Sequence, residues 1–226
     1  MAQYTLNTTP QLVIEVRQSA RARRVILRVS PDGTAHLTVP KRVPTADALD
    51  FARRKADWIM QQQARCSGIK VDLGVKVPIE GVDRSLCLAK AARLEPDRLC
   101  LPHEVQHVGP WVRAFLHDRA YTRIRAQAEA HAHTLGRGYQ RLVLRDTRSR
   151  WGSCSSRGAV MLSWRLIMAP PAVLNYVVAH EIAHLAEMNH SPAFWQVVER
   201  LYGPWRESRD WLRKEGPRLH RFSFDS

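Results

Sequence analysis

Runs rich in valine, isoleucine and leucine at 12–16, 25–29 and 35–39 predict three strands. Between the last two, Pro31-Asp32-Gly33 predicts a hairpin turn, because proline presets one corner and glycine accepts the positive φ of the next. Thr45 then opens a helical pattern to about residue 65; it is expected to be the N-cap, with Asp47 and Asp50 near the positive end of the helix. Strand-like pieces follow at 75–79, 86–88, 93–95 and 99–101. Residues 1–104 are therefore expected to form a β-rich region with one helix, about 45–65.

The pattern from 105 to 226 is different. Gly109 and Pro110 introduce a long helix to Leu135, with Trp111, Phe115, Ile124 and Ala128 on one side and Gly136 as its stop. Segments 141–145 and 159–164 predict strands joined by a loop over 146–158. Pro170 and Pro171 suit a first helical turn, and 172–187 then runs without a breaker. Val173, Leu174, Val177, Val178, Ile182 and Leu185 cover most of that helix, so it is buried and should pack against the long one. Asn189 is expected to take the left-handed conformation that turns the chain back. Ser191 and Pro192 start another helix, with Phe194, Val197, Val198 and Leu201 as its buried stripe and Gly203-Pro204 as its end.

Polar residues inside a buried helix need partners, and here they are His180, Glu181 and His184. Histidines four apart lie about 5–6 Å apart on one helical face, close enough to share an ion with Zn–N bonds of roughly 2.0–2.1 Å. Glu181 sits one step round, placed as a base and not as a ligand. His190 follows on a short corner between two anchored helices and supplies a third nitrogen. Three protein ligands leave a fourth position open, the arrangement of a catalytic zinc. A second HExxH copy, 103–107, provides a control. Pro102, Gly109 and Pro110 hem it in, and Arg113 stands where a third ligand would fall, so a surface turn is expected there.

The runs Arg150-Trp151-Gly152-Ser153-Cys154, 159–164, Tyr176-Val177-Val178-Ala179, HEIAHL and Asn189-His190-Ser191, closed by Phe194-Trp195, resemble the YgjP-like metallopeptidase family. That family is related to the SprT and WLM groups of zinc proteases. The resemblance is specific over 138–215 and looser elsewhere, where it includes Pro40-Lys41-Arg42-Val43-Pro44 and Trp58-Ile59. It implies an α+β chain: a zincin-like catalytic domain with an HExxH active-site helix and a small mixed sheet over 105–226, preceded by the β-rich region. It also implies one zinc ion on His180, His184 and His190, with Glu181 as the catalytic base hydrolysing a protein or peptide substrate. By analogy with zincins, 159–164 is placed at the sheet edge beside the metal. Arg148, Arg150 and Trp151 are candidates for substrate contact, and Cys154 reads as a buried thiol more readily than as a fourth ligand.

Composition sets limits. Cys66, Cys87, Cys100 and Cys154 form no CxxC pair, and no signal-like or membrane-spanning run is seen, so a cytoplasmic location is expected. Lysine and arginine number 35 against 21 acidic residues, a net charge of +14 that would attract nucleic acid, nucleotides or acidic substrates. Two alternatives follow: a metal-dependent nucleotide phosphoanhydride hydrolase, and a DNA-associated protease acting on nucleic-acid-bound proteins.

Overall fold

The computed structural model describes residues 2–6, 8, 11–30, 33–65 and 68–225, the side chains of residues 64 and 65 excepted. Cys66 and the Pro31-Asp32 part of the expected turn lie outside the described residues. The chain forms two compact units, Met1–Ile69 and Lys70–Ser226, so the boundary expected at 104/105 falls inside the second.

In the first unit, β1 (Ala2–Leu6), β2 (Leu12–Ser19), β3 (Ile26–Val29) and β4 (Ala35–Pro40) make a sheet in the order β1-β2-β4-β3. Strands β2 and β4 run parallel and the outer pairings are antiparallel. Two helices follow, α1 (Thr45–Arg54) and α2 (Ala56–Arg65), where one was expected. The break is at Lys55, whose φ of −105° and ψ of 14° leave the helical region and whose amide reaches back only three residues to Ala52. Thr45 is the first helical residue and not the cap; Pro44 holds the cap position, with no side-chain bond. Ile14, Leu37 and Ile59 are fully buried in the core of this unit, which stabilises by about 1.5–3 kcal/mol for each side chain.

The boundary between the units falls within a two-residue strand, β5 (Ile69–Lys70), and the second unit begins at Lys70. Strands β6 (Lys76–Ile79), β7 (Val82–Ala89), β8 (Arg93–Leu94) and β9 (Arg98–Pro102) pair in the order β6-β7-β9-β8. Cys87 and Cys100 stand opposite one another on β7 and β9, with their sulfurs 2.8 Å apart. The long helix α3 (Val108–Leu135) stops at Gly136, left-handed at φ 71°, as the sequence predicted. Its buried stripe is Val112, Leu116, Ala120, Ile124 and Ala128, spaced by four. Trp111 and Phe115 lie one step off that stripe, half-buried and stacked on each other at 5.6 Å, which corrects the face read from the sequence.

This sheet belongs with the helices of the second unit because its β6–β7 turn is fastened to them. The Glu80 amide donates to the Ile167 carbonyl (2.7 Å), and its carboxylate takes bonds from Arg119 (2.7 Å) and Arg123 (2.8 Å) of α3. Ile167 lies in a buried 3-10 helix, Trp164–Met168, against which α3 also packs.

A second, three-stranded sheet has β10 (Arg141–Arg145), β11 (Gly152–Cys154) and β12 (Ala159–Ser163) in the order β10-β12-β11. It is mixed: β10 runs parallel to β12 and β11 antiparallel. Here the sequence reading needs correction, since 159–163 is the central strand and the short β11, inside the expected loop, is the edge. Helices α4 (Pro171–Ala183), α5 (Pro192–Tyr202) and α6 (Arg206–Leu219) and the short β13 (Phe222–Ser223) complete the chain. Helix α4 packs on α3, α5, α6 and β11. The contact with α3 includes a bond from His131 Nε2 to Asn175 Oδ1 (2.7 Å).

Candidate metal centre

Pro170 caps α4 and Pro171 is its first residue, where a missing N–H costs nothing. The helix expected to reach residue 187 ends at Ala183, because the Leu185 and Ala186 amides bond three residues back, to Ile182 and Ala183, and tighten the last turn. His184 is the C-cap, still right-handed at φ −63°. Its Nδ1 donates to the Glu187 carbonyl (3.0 Å), which leaves Nε2 as the lone-pair nitrogen. Arg137 donates to the Leu185 carbonyl (2.6 Å) and so satisfies another acceptor of this corner.

Asn189 is not left-handed; Glu80 is the one non-glycine residue with positive φ among those described. The turn is made by the Ser191 amide donating to the Asn189 carbonyl (2.7 Å). Ser191 then caps α5 as predicted, its hydroxyl accepting from the Phe194 amide (3.4 Å), and Pro192 is the first helical residue.

These two helix ends bring His180, His184 and His190 together, with one ligand atom from each within 4.8 Å of the others. His180 and His190 present their Nε2 atoms to one another at 3.0 Å. Nitrogens on a tetrahedral zinc with bonds of roughly 2.0–2.1 Å stand about 3.3 Å apart, so the trio fits such an ion. The protein itself does not satisfy these rings: His180 Nδ1 is buried without a hydrogen-bond partner, and its Nε2 faces another imidazole. Burial, reinforced by the neighbouring His184, His190 and Arg209, holds the His180 pKa down at about 3. Burial likewise lowers that of His184, against the opposing bond to Glu187. Both rings are thus neutral at ordinary pH, the form that binds a metal.

Phe194 forms the floor. It is fully buried, and its ring centroid lies 4.5 Å from that of His184, 4.7 Å from His190 and 4.9 Å from His180. Trp195 stands beside the exposed His190 at 5.9 Å. Sequence reading placed Phe194 in a buried stripe but not against the three rings, a contact that depends on the angle between α4 and α5.

Glu181 lies beside the trio and is 6% exposed. Burial raises its pKa to about 8, while Arg150 pulls the other way. The backbone of Gly152 passes so close that a Cβ there would sit 2.5 Å from Glu181 Oε1. An isolated glycine in a strand signals such an approach, and this one was quoted within a motif without being singled out.

The remaining expectations can be placed. His103, Glu104 and His107 are exposed on a turn, and Arg113 pairs with Asp225 (2.6 Å), so the first HExxH copy forms no cluster. Cys154 is half-buried outside the histidine trio; burial and then Glu181 push its thiol up to about 11. Trp151 stacks on His220 at 4.8 Å and packs on Gly216. Arg148 acts electrostatically on His220, and Arg150 on Glu181. The buried Arg165 holds Asp146 through two bonds (2.7 and 3.0 Å) and also donates to the Leu219 and Phe222 carbonyls, fastening the start of the 146–151 segment to the chain's last turn. No helix among the described residues is long and apolar enough to cross a membrane.

A search of curated proteins gives no match. Among solved structures, the metallopeptidase zymogen of Pyrococcus abyssi abylysin aligns at 21% identity and a TM-score of 0.38, covering 44% of this chain and 97% of that one. A family model described as "YgjP-like, metallopeptidase domain" matches residues 23–215, most of the chain. The chain therefore belongs to the YgjP-like metallopeptidase family.

Proposed function

We propose that this chain is a zinc peptidase in which His180, His184 and His190 hold one ion and Glu181 moves the proton. The observation that carries the reading is the convergence of three imidazoles next to one buried carboxylate. A divalent ion bound there supplies Lewis-acid polarisation of the scissile carbonyl and lowers the pKa of the attacking water. Glu181 accepts the proton of that water on its carboxylate and delivers it to the departing amine nitrogen. Burial raises the pKa of this carboxyl and a bound cation would pull it down again, which brings the group toward the operating pH, where a proton carrier works best.

Gly152 brings the edge strand β11 against the same carboxylate. An extended substrate adding to that edge would place its backbone beside Glu181, with main-chain hydrogen bonds fixing its register. Phe194 and the last turn of α4 keep the imidazoles in place while the substrate is exchanged.

The test is metal analysis of the purified protein together with cleavage of a casein-derived peptide. Glu181→Gln should keep stoichiometric zinc and lose turnover by several orders of magnitude. A variant that cleaves at the wild-type rate would remove Glu181 from the mechanism. A parallel panel of nucleoside triphosphates should show no hydrolysis; turnover there without peptide cleavage would replace the peptidase reading.

A further inference from the structure

Beside the metal centre, the open face of the three-stranded sheet forms a cleft of about 460 Å³. Side chains alternate across a strand, so Arg141, Val143 and Arg145 of β10 share this face, with Met161 of β12 and Ser153 of β11 opposite Val143 and Met161 in the register. Arg150 adds a third guanidinium from the segment leading into β11. All three arginines are exposed, no aspartate or glutamate lines the cleft, and neither Arg141 nor Arg145 has an acidic partner among the described residues. Thr147, Ser153 and Ser155 supply hydroxyl groups along the wall.

Several surface arginines elsewhere in this unit pair with carboxylates, for example Arg113 with Asp225, Arg125 with Glu129 and Arg218 with Glu215. Three guanidinium groups lining one concavity give it a positive potential that favours an anionic ligand. The cleft shares strand β11 with the candidate metal centre: Arg150, Ser153 and Cys154 line it, while Gly152, next along the strand and facing the other side, lies against Glu181, so a substrate strand paired on this edge would turn alternate side chains toward the cleft.

Building on the peptidase reading, we propose that this cleft binds acidic side chains of the peptide substrate, so that Arg141, Arg145 and Arg150 select for glutamate- or aspartate-rich sequences flanking the cleaved bond. Arginine presents paired donors that match a carboxylate in a forked geometry, and the hydroxyl groups complete its solvation. Arg141 and Arg145 are four residues apart on an extended strand, about 13 Å, and so reach more than one acidic side chain of a bound segment. The lining argues against single-stranded nucleic acid. Such sites stack bases on aromatic rings, and no Trp, Tyr or Phe lines this cleft.

Two measurements on the full chain test the proposal. In the first, matched fluorogenic peptides carry three glutamates or three glutamines on either side of a common cleavable core. The glutamate peptides should have a kcat/KM at least tenfold higher, expressed mainly in KM and falling with added salt. In Arg141→Gln/Arg145→Gln this preference should fall at least fivefold, whereas Arg54→Gln/Lys55→Gln, which removes the same charge at the α1–α2 junction, should retain it. Equal cleavage of the two peptides, or equal loss in both double variants, would overturn the proposal.

The second measurement is fluorescence anisotropy of labelled hexaglutamate, hexaglutamine and oligothymidylate on metal-free protein, which needs no turnover. Hexaglutamate should bind best and lose at least tenfold in affinity in the Arg141/Arg145 variant. Oligothymidylate binding that depends on these two arginines while hexaglutamate binding does not would overturn it in favour of nucleic acid. If neither peptide is cleaved but hexaglutamate still binds through the arginines, the peptidase reading fails and the anion-binding cleft stands.

Discussion

Gly152→Ala tests how closely the edge strand governs the proton carrier. A methyl carbon at this position would lie 2.5 Å from Glu181 Oε1, 2.6 Å from Cγ and 2.7 Å from Cδ. Carbon contacts are most favourable near 3.5–4.0 Å, so the carboxylate must retreat by about 1 Å. Glu181 is 6% exposed, and there is little free volume to retreat into. Overpacking of this kind costs about 1–3 kcal/mol of stability. A catalytic group misplaced by about 1 Å loses on the order of 100-fold in rate. Gly152→Ala should therefore stay folded and lower kcat about 100-fold. Zinc content should be unchanged, since the three atoms nearest the new methyl all belong to Glu181. Steady-state cleavage of the casein-derived peptide, urea unfolding and metal analysis separate these effects. A folded variant that cleaves within threefold of the wild-type rate would refute the idea that the approach of Gly152 sets the position of Glu181.

Four further outcomes follow from the geometry. His190→Ala removes one of three converging nitrogens and should weaken zinc binding beyond the roughly 10–100-fold typical of groups that only orient a ligand; a chelator-competition titration showing unchanged affinity would shift the third ligand to Glu187. Phe194→Ala empties a fully buried site under three imidazoles and should cost about 3–5 kcal/mol in urea unfolding, so a loss below about 1 kcal/mol would contradict its role as the floor. Asp146→Asn weakens the two-bond pair with Arg165 and should cost about 1.5–3 kcal/mol, with a matching fall in the melting temperature as the check. The fourth concerns acid. Burial, then Arg165, lowers the His220 pKa to about 4, against an opposing pull from Asp146, while the unfolded chain titrates near 6.5. The unfolded state therefore binds the extra proton first, and the stability contributed by neutral His220 is complete above about pH 6.5 and lost as pH falls toward 4. His220→Phe, which keeps a ring against Trp151, should flatten urea midpoints measured across pH 7.5, 6 and 5; parallel declines in both proteins would discount this residue.

The three histidines were legible because their information is local. His180 and His184 share a helical face, and the Ser191-Pro192 start of α5 fixes His190 close behind them. The stop of α3 at Gly136 was equally local. Features that depend on distant packing were not. Strand β1 has one buried residue, Leu6, and carries almost no pattern. Strand β11 is three residues long, too short for alternation to register, so the edge of its sheet was assigned to β12. Trp111 and Phe115 drew attention by size, while the core took the smaller Val112 and Leu116, whose spacing matches Ala120 and Ile124. The contact of Gly152 with Glu181 joins positions far apart in the chain, and no spacing rule reaches it.

Arg165 ties together parts of the molecule that an engineer would treat as independent. Its guanidinium grips the Leu219 and Phe222 carbonyls with one nitrogen and Asp146 with the others, and Asp146 begins the short run that ends at Gly152 under Glu181. Substitutions near residues 219–222 are therefore expected to be felt at Gly152 and Glu181 through this one cation, although the positions lie far apart in the chain.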